Sequence, residues 1–205
     1  MGVGARIVAL VTVLCLSTGA PALLAQSTER RFDVAANLAA ASTAEFEGAE
    51  VGFGGRFGWK PFALIGLEAE MTHYPGDYPD GFAFSRARWE GLFGGTVGPR
   101  FGRVRPFARV RPGFLAYREA PEPFACIAIF PPPLVCTLAA GRTVLAVDIG
   151  GGVEATLSNR SFVRVDIGDR AVRYDGPVFD LNRRRSADSF WSHGVRFTAG
   201  GGLKF

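Results

Sequence analysis

The sequence predicts an all-β chain, an eight-stranded antiparallel up-and-down β-barrel of the membrane-spanning kind. Three observations carry that expectation. Apolar and polar residues alternate one for one in eight separate segments, the pattern of a strand that sends successive side chains to opposite faces. Short turns and mostly longer connections join the segments by turns, so one end of an up-and-down barrel is trimmed and the other carries loops. Beyond the first 25 residues no apolar run approaches the roughly 18–20 residues of a spanning helix, so any membrane span must be built of strands.

Residues 1–25 read as a cleaved secretion signal, and 26–205 as one barrel domain. Arg6 supplies the positive start, residues 7–16 the apolar stretch and 20–25 a small-residue end, with cleavage expected near Ala25–Gln26. Cys15 follows Leu14, not the small residue of a lipoprotein signal, so no lipid anchor is expected. Without Arg6 the chain keeps 22 basic and 19 acidic side chains. That net charge of about +3 is too small and too scattered to argue for nucleic acid.

The first segment, 31–41, sets Phe32, Val34, Ala36, Leu38 and Ala40 against Asp33 and Asn37. In 51–59, Val51, Phe53, Phe57 and Trp59 oppose three glycines and Arg56; in 62–73, Ala63, Ile65, Leu67, Ala69 and Met71 oppose Glu68, Glu70 and Thr72. In 86–101, Ala87, Trp89, Phe93, Val97 and Phe101 oppose Arg88, Glu90, Thr96 and Arg100. Segment 107–117 opposes Ala108, Val110, Phe114 and Ala116 to Arg109 and Arg111, and 143–157 opposes Leu145, Val147, Ile149, Val153 and Leu157 to Asp148 and Glu154. In 162–174, Val163, Val165, Ile167 and Ala171 oppose Arg164, Asp166 and Arg170; in 191–205, Trp191, Val195, Phe197, Leu203 and Phe205 oppose Ser192, Arg196, Thr198 and Lys204. Asp169 and Arg173 interrupt the apolar face, and Phe107 and Leu115 the polar one. Turns are expected near 59–61, 101–106 and 158–160, and loops near 42–48, 74–85, 118–141 and 175–190.

Charge decides which face points inward. On the polar face within the strands, leaving out the end positions Arg86, Arg100 and Lys204, stand Asp33, Glu68, Glu70, Glu90, Asp148, Glu154 and Asp166, against Arg56, Arg88, Arg109, Arg111, Arg164, Arg170 and Arg196. Seven against seven is the balance a narrow interior needs, because a buried charge is tolerable only when paired and hydrogen-bonded. Every basic member is arginine, whose planar fork suits carboxylates in a confined space. A soluble ligand-carrying barrel would turn the apolar face inward instead, and would be extracted without detergent. Aromatics add two girdles at the lipid–water interfaces. Phe32, Phe57, Trp59, Phe101 and Phe205 fall at the trimmed end, and Trp89, Phe114, Tyr117, Tyr174 and Trp191 at the looped end.

With these features the chain resembles the small eight-stranded outer-membrane barrels of Gram-negative bacteria, which include OmpA-type and OmpX/Ail-type domains. The resemblance covers nearly all of the mature chain and rests on architecture, without a unique motif. It implies the cell outer membrane, with outer-membrane lipid and lipopolysaccharide as surroundings. The terminal Leu203-Lys204-Phe205, with Phe197 and Ala199 on the same face, looks like the insertion signal read by the barrel-assembly machinery. OmpA-type proteins add a peptidoglycan-binding domain that this sequence lacks, so no cell-wall tether is expected.

An eight-stranded barrel is just wide enough for side chains to fill, so the charged set is expected to be a non-conducting plug. The triplets Gly150-Gly151-Gly152 and Gly200-Gly201-Gly202 lack a following Lys-Ser/Thr and sit inside strands, so they read as close packing, not as a phosphate loop. Some barrels of this kind modify lipid A, which would require a nucleophile and a base within reach. His73 and His193 are the histidines available, but Thr72 and Ser192 beside them point to the opposite face. No catalytic residue, cofactor or metal is therefore expected. Cys126 and Cys136 are expected to form a disulfide in the apolar, proline-rich stretch of 118–141, either a partner-binding knob or a loop that folds over the barrel mouth or rests on the membrane. Arg183, Arg184 and Arg185 are candidates for lipopolysaccharide phosphates. The expected role is structural or surface-interaction, through the loops.

Overall fold

A computed structural model of the chain describes residues 30–43, 46–76, 87–119, 130–180 and 185–205. It contains eight strands: β1 (Phe32–Thr43), β2 (Phe46–Trp59), β3 (Ile65–Tyr74), β4 (Arg88–Val97), β5 (Val104–Tyr117), β6 (Arg142–Thr156), β7 (Ser161–Asp180) and β8 (Arg185–Lys204). Each pairs with the next, and β8 returns antiparallel to β1 from Asp33↔Lys204 to Ala41↔Arg196. The sheet is a closed, all-antiparallel barrel, and closure removes the unpaired edge that an open sheet would carry.

Side-chain parity sorts the two faces. In β3, Glu68, Glu70, Thr72 and Tyr74 are buried while Ile65, Leu67 and Met71 are exposed. Around the wall, Phe53, Phe93, Val110, Ile149, Ile167 and Val195 are each more than half exposed. The large apolar side chains face outward and the charges face inward, the reverse of a water-soluble protein.

The trimmed end is made by residues 60–64, 98–103 and 157–160. The second of these closes as a two-residue hairpin loop between Phe101 and Val104, whose backbone groups exchange hydrogen bonds of 2.8 and 3.0 Å. Gly102 there has φ +60°, the left-handed conformation that such a loop demands.

The other end departs from expectation. Much of 42–48 and 175–190, read as loops, is strand: β1 and β2 approach as far as Thr43↔Phe46, and β7 and β8 as far as Asp180↔Arg185. The reason is that ladder hydrogen bonds need only backbone, so a hairpin continues past the point where apolar alternation stops. Within 118–141 a short helix α1 (Leu134–Ala139) forms, which period-2 reading does not detect. Much of 74–85 lies outside the described residues, as does the whole expected signal, 1–25. Among the described residues, no helix is long and apolar enough to cross a membrane.

Two aromatic assignments are corrected. Tyr117 and Tyr174 belong to no outer girdle; both are buried inside, their hydroxyls 3.1 Å apart. Tyr117 shares the odd parity of Arg109 and Arg111, and Tyr174 the even parity of Arg164 and Arg170, so the pleat turns them inward. Trp89, Phe114 and Trp191 remain on the outer surface, as do Phe32, Phe57, Trp59, Phe101 and Phe205 at the trimmed end.

Candidate functional site in the barrel interior

Every strand contributes charge to one column along the axis. The fourteen ionisable residues of the polar face are all buried, none more than 7 % exposed. At the trimmed end Glu154 accepts hydrogen bonds from Lys60 (3.0 Å) and Lys204 (2.7 Å), and Lys60 also pairs with Asp33 at 3.1 Å. Above them Arg164 spans Glu68 (2.7 Å) and Asp166 (2.8 Å), its guanidinium 3.9 Å from the Phe107 ring centroid. Phe107, the apparent break in the polar face, is thus the aromatic base under a buried cation.

The middle is a linked chain of carboxylates and guanidinium groups. Asp148 holds Arg109 at 2.8 Å and also pairs with Arg111, while Arg109 further contacts Asp166. Arg111 donates to Glu70 at 2.7 Å and to Glu68 at 3.2 Å. Arg196 joins Glu70 to Glu90, the latter at 3.0 Å, and Glu70 also accepts from Asn37 at 3.2 Å. Nearer the looped end Glu50 accepts from Arg88 and Arg170, each at 2.8 Å, and Tyr74 donates to Glu90 at 2.8 Å. Arg56 lies beside the Phe162 ring, its guanidinium carbon 5.7 Å from the centroid.

Glu50 lies one residue before the segment that alternation marks, which is why sequence reasoning missed it. Inward-facing glycines let neighbouring strands approach closely. A Cβ on Gly200 would stand 2.4 Å from the Ala36 carbonyl oxygen, so the glycine permits close strand approach there.

The interior is not polar throughout. Toward the looped end Leu92, Leu115, Tyr117, Val144, Ala146, Val172, Tyr174 and Val178 form an apolar cluster that includes Leu134 and Leu138 of α1. The helix therefore lies over the barrel mouth. Pro132 and Pro133 dock along β7, where the Phe179 N–H donates to the Pro132 carbonyl at 2.9 Å. Of the placements expected for 118–141, residues 132–139 follow the one over the mouth. Leu115, the second break in the polar face, belongs to this cap.

The other expected positions divide as follows. His193 is exposed on the outer wall with Nδ1 2.7 Å from Asp169, so the carboxylate that interrupts the apolar face has a partner there. His73 is on the same wall between Phe53 and Trp89, ring centroids 5.5 and 4.5 Å away. Ser192 and Thr72 are buried inside, and Thr72 donates to Glu70, so neither forms a nucleophile–base pair with its neighbouring histidine. Cys136 is on α1; Cys126 lies outside the described residues. Arg183 and Arg184 also lie outside them, and Arg185 opens β8 opposite Asp180. Among the described residues no group of three metal-ligating side chains assembles.

No protein-family model matches the chain, and no curated protein matches it in sequence. Solved structures do match in shape. Neisserial surface protein A superposes with a TM-score of 0.52 at 14 % identity, over 85 % of this chain and 97 % of that one. The N-terminal β-barrel domain of OprF from Pseudomonas aeruginosa gives 0.44 at 10 % identity, over 82 % and 96 %. Ail, the attachment invasion locus protein of Yersinia pestis, gives 0.46 at 8 % identity, over 85 % and 97 %. At such identities the likeness concerns architecture, and the chain has the fold of the small eight-stranded outer-membrane barrels.

Proposed function

We propose that this chain spans the bacterial outer membrane as a closed, non-conducting barrel with a structural or surface-interaction role. One observation carries the reading: a belt of exposed Phe, Val, Ile and Leu, interrupted at Asp169 and Arg173, surrounds an interior of paired charges. In water that belt would be an aggregation surface, whereas in lipid it is the solvated one. The crosslinked column of ion pairs and the α1 cap argue for a plug in place of a pore. That the neisserial neighbour in shape is a surface protein agrees with a surface location.

In this reading 1–25 is removed on export, the terminal strand is recognised by the barrel-assembly machinery, and the barrel performs no reaction. The looped end faces outward, where Arg183, Arg184 and Arg185 meet lipopolysaccharide phosphates. The rest of 118–141, held by a Cys126–Cys136 disulfide, meets an extracellular partner. Membrane fractionation, followed by gel migration with and without boiling, tests it. Outer-membrane recovery with a heat-shifted band and no conductance in a planar bilayer is expected. Detergent-free soluble protein without the shift refutes the membrane barrel, and steady single-channel current refutes the plug. Deacylated lipid A after incubation with wild type, but not with His73→Ala or His193→Ala, would refute the non-enzymatic role.

A further inference from the structure

The trimmed end holds a larger charge imbalance than the column above it. Setting aside Asp33, Glu154, Arg105 and Lys204, the buried interior carries seven cations against six carboxylates. Below, a cavity of about 410 Å³ is lined by Arg30, Lys60, Arg100, Arg105 and Lys204 with, among the described residues, a single carboxylate, Glu154. Even with Asp33, which pairs with Lys60, five cations face two carboxylates. A plug needs neutrality. This mouth is built otherwise.

Two of these cations, Arg105 and Arg30, are oriented by uncharged backbone groups. Arg105 donates from Nε to the Gly98 carbonyl at 3.2 Å and from Nη2 to the Leu64 carbonyl at 3.3 Å, and Arg30 donates to the Lys204 carbonyl at 3.1 Å. Backbone carbonyls orient a guanidinium without cancelling its charge. Arg100 reaches Thr156 Oγ1 at 3.1 Å. Beneath them the Phe162 ring lies 5.1 Å from Lys204 Nζ and 5.7 Å from Lys60 Nζ, and its π-face offsets part of their desolvation. Fixed, convergent donors with net positive charge in a cavity of small-molecule size form an anion receptor. Arginine forks and lysine ammoniums together select phosphate oxygens.

We propose that the trimmed mouth of the barrel is a binding site for a phosphate-bearing ligand. A second cavity of about 350 Å³ shares Arg30 and Lys204 and adds Arg160, Leu203 and Phe205 at the β1–β8 seam. Leu203 and Phe205 are exposed on the outer wall, so the mouth is open to a phospholipid headgroup from the side as well as to a free phosphate compound from below. The headgroup route rests on the outer-membrane reading above; the receptor itself does not.

The test titrates the full chain, folded in a phosphate-free detergent, with sodium pyrophosphate and separately with dibutyrylphosphatidylglycerol, by calorimetry. Saturable one-site binding that weakens with salt is expected for one or both probes. Pyrophosphate binding identifies a free phosphate compound as a ligand, and binding of the lipid alone identifies the headgroup. Arg30→Gln combined with Arg100→Gln removes two cations from the rim, and the expected loss is about thirtyfold. Arg118→Gln, at the opposite end, leaves affinity unchanged. A heat-shifted band shows that each variant is folded, and Lys60→Gln supplies a second removal should the double variant fail to fold. Neither probe binding, or equal binding by folded variants and wild type, overturns the proposal. Were the chain soluble without detergent, the membrane reading would fall while the pyrophosphate titration still decided the receptor.

Discussion

Replacing Glu70 by glutamine removes one negative charge from the centre of the column while keeping the side chain's shape. Glu70 is 4 % exposed, and its carboxylate is shared between Arg111 and Arg196, with Asn37 and Thr72 also donating to it. Deleting one partner of a buried ion pair costs about 3–5 kcal/mol when the other is left uncompensated. Here neither arginine is stranded, because Arg111 keeps Asp148 and Glu68, and Arg196 keeps Glu90. What is lost is one arginine hydrogen bond outright, because the amide nitrogen cannot accept, and the charge assistance in the other, together about two bonds at the lower end of about 1.5–3 kcal/mol each for bonds to charged groups. The expected destabilisation of Glu70→Gln is therefore about 3 kcal/mol. Urea titration of the barrel in phospholipid vesicles, read as the heat-shifted band and as tryptophan emission, measures it with the denaturant slope unchanged. The matched surface change Glu119→Gln is expected to stay within about 0.5 kcal/mol. A Glu70→Gln loss as small as that of Glu119→Gln would refute the reasoning. It would mean that water screens the column as it screens an exposed ion pair, and that the interior is wet instead of crosslinked.

Ile149→Arg, at the middle of β6 on the outer wall, is expected to cost about 2–4 kcal/mol in vesicles; a neutral result in the same urea titration would mean that this wall does not face hydrocarbon. Leu138→Asp puts a charge into the apolar cap, so α1 should release from the mouth. Limited proteolysis should then cut within 118–141 while the heat-shifted band persists, and unchanged resistance would sink the docked-helix assignment. Gly200→Val forces a side chain against the Ala36 carbonyl and is expected to cost about 1–3 kcal/mol, seen as a lower urea midpoint.

Alternation was legible because a strand's side-chain period is two, a local property of the backbone that needs no knowledge of neighbours. Hence the sequence determined eight strands, the outward set from Val34 to Phe205 and the inward charges from Asp33 to Arg196. Even the two tyrosines misplaced in the outer girdle, Tyr117 and Tyr174, carried their direction in their parity. Partner choice was not legible. That Glu70 is shared by Arg111 and Arg196, 41 and 126 residues away, follows from strand stagger and closure of β8 onto β1, which set the height of each side chain along the axis. Glu50 entered the column only because β2 continues its ladder beyond the apolar band. The cap required α1 to meet β7 in space, and the cationic mouth required residues of three separate turns, Arg30 before β1 and Lys204 of β8 to converge on one rim. These arrangements are long-range, and only the tertiary structure decided them, because periodicity encodes which face a residue occupies but not the height at which it meets its partner.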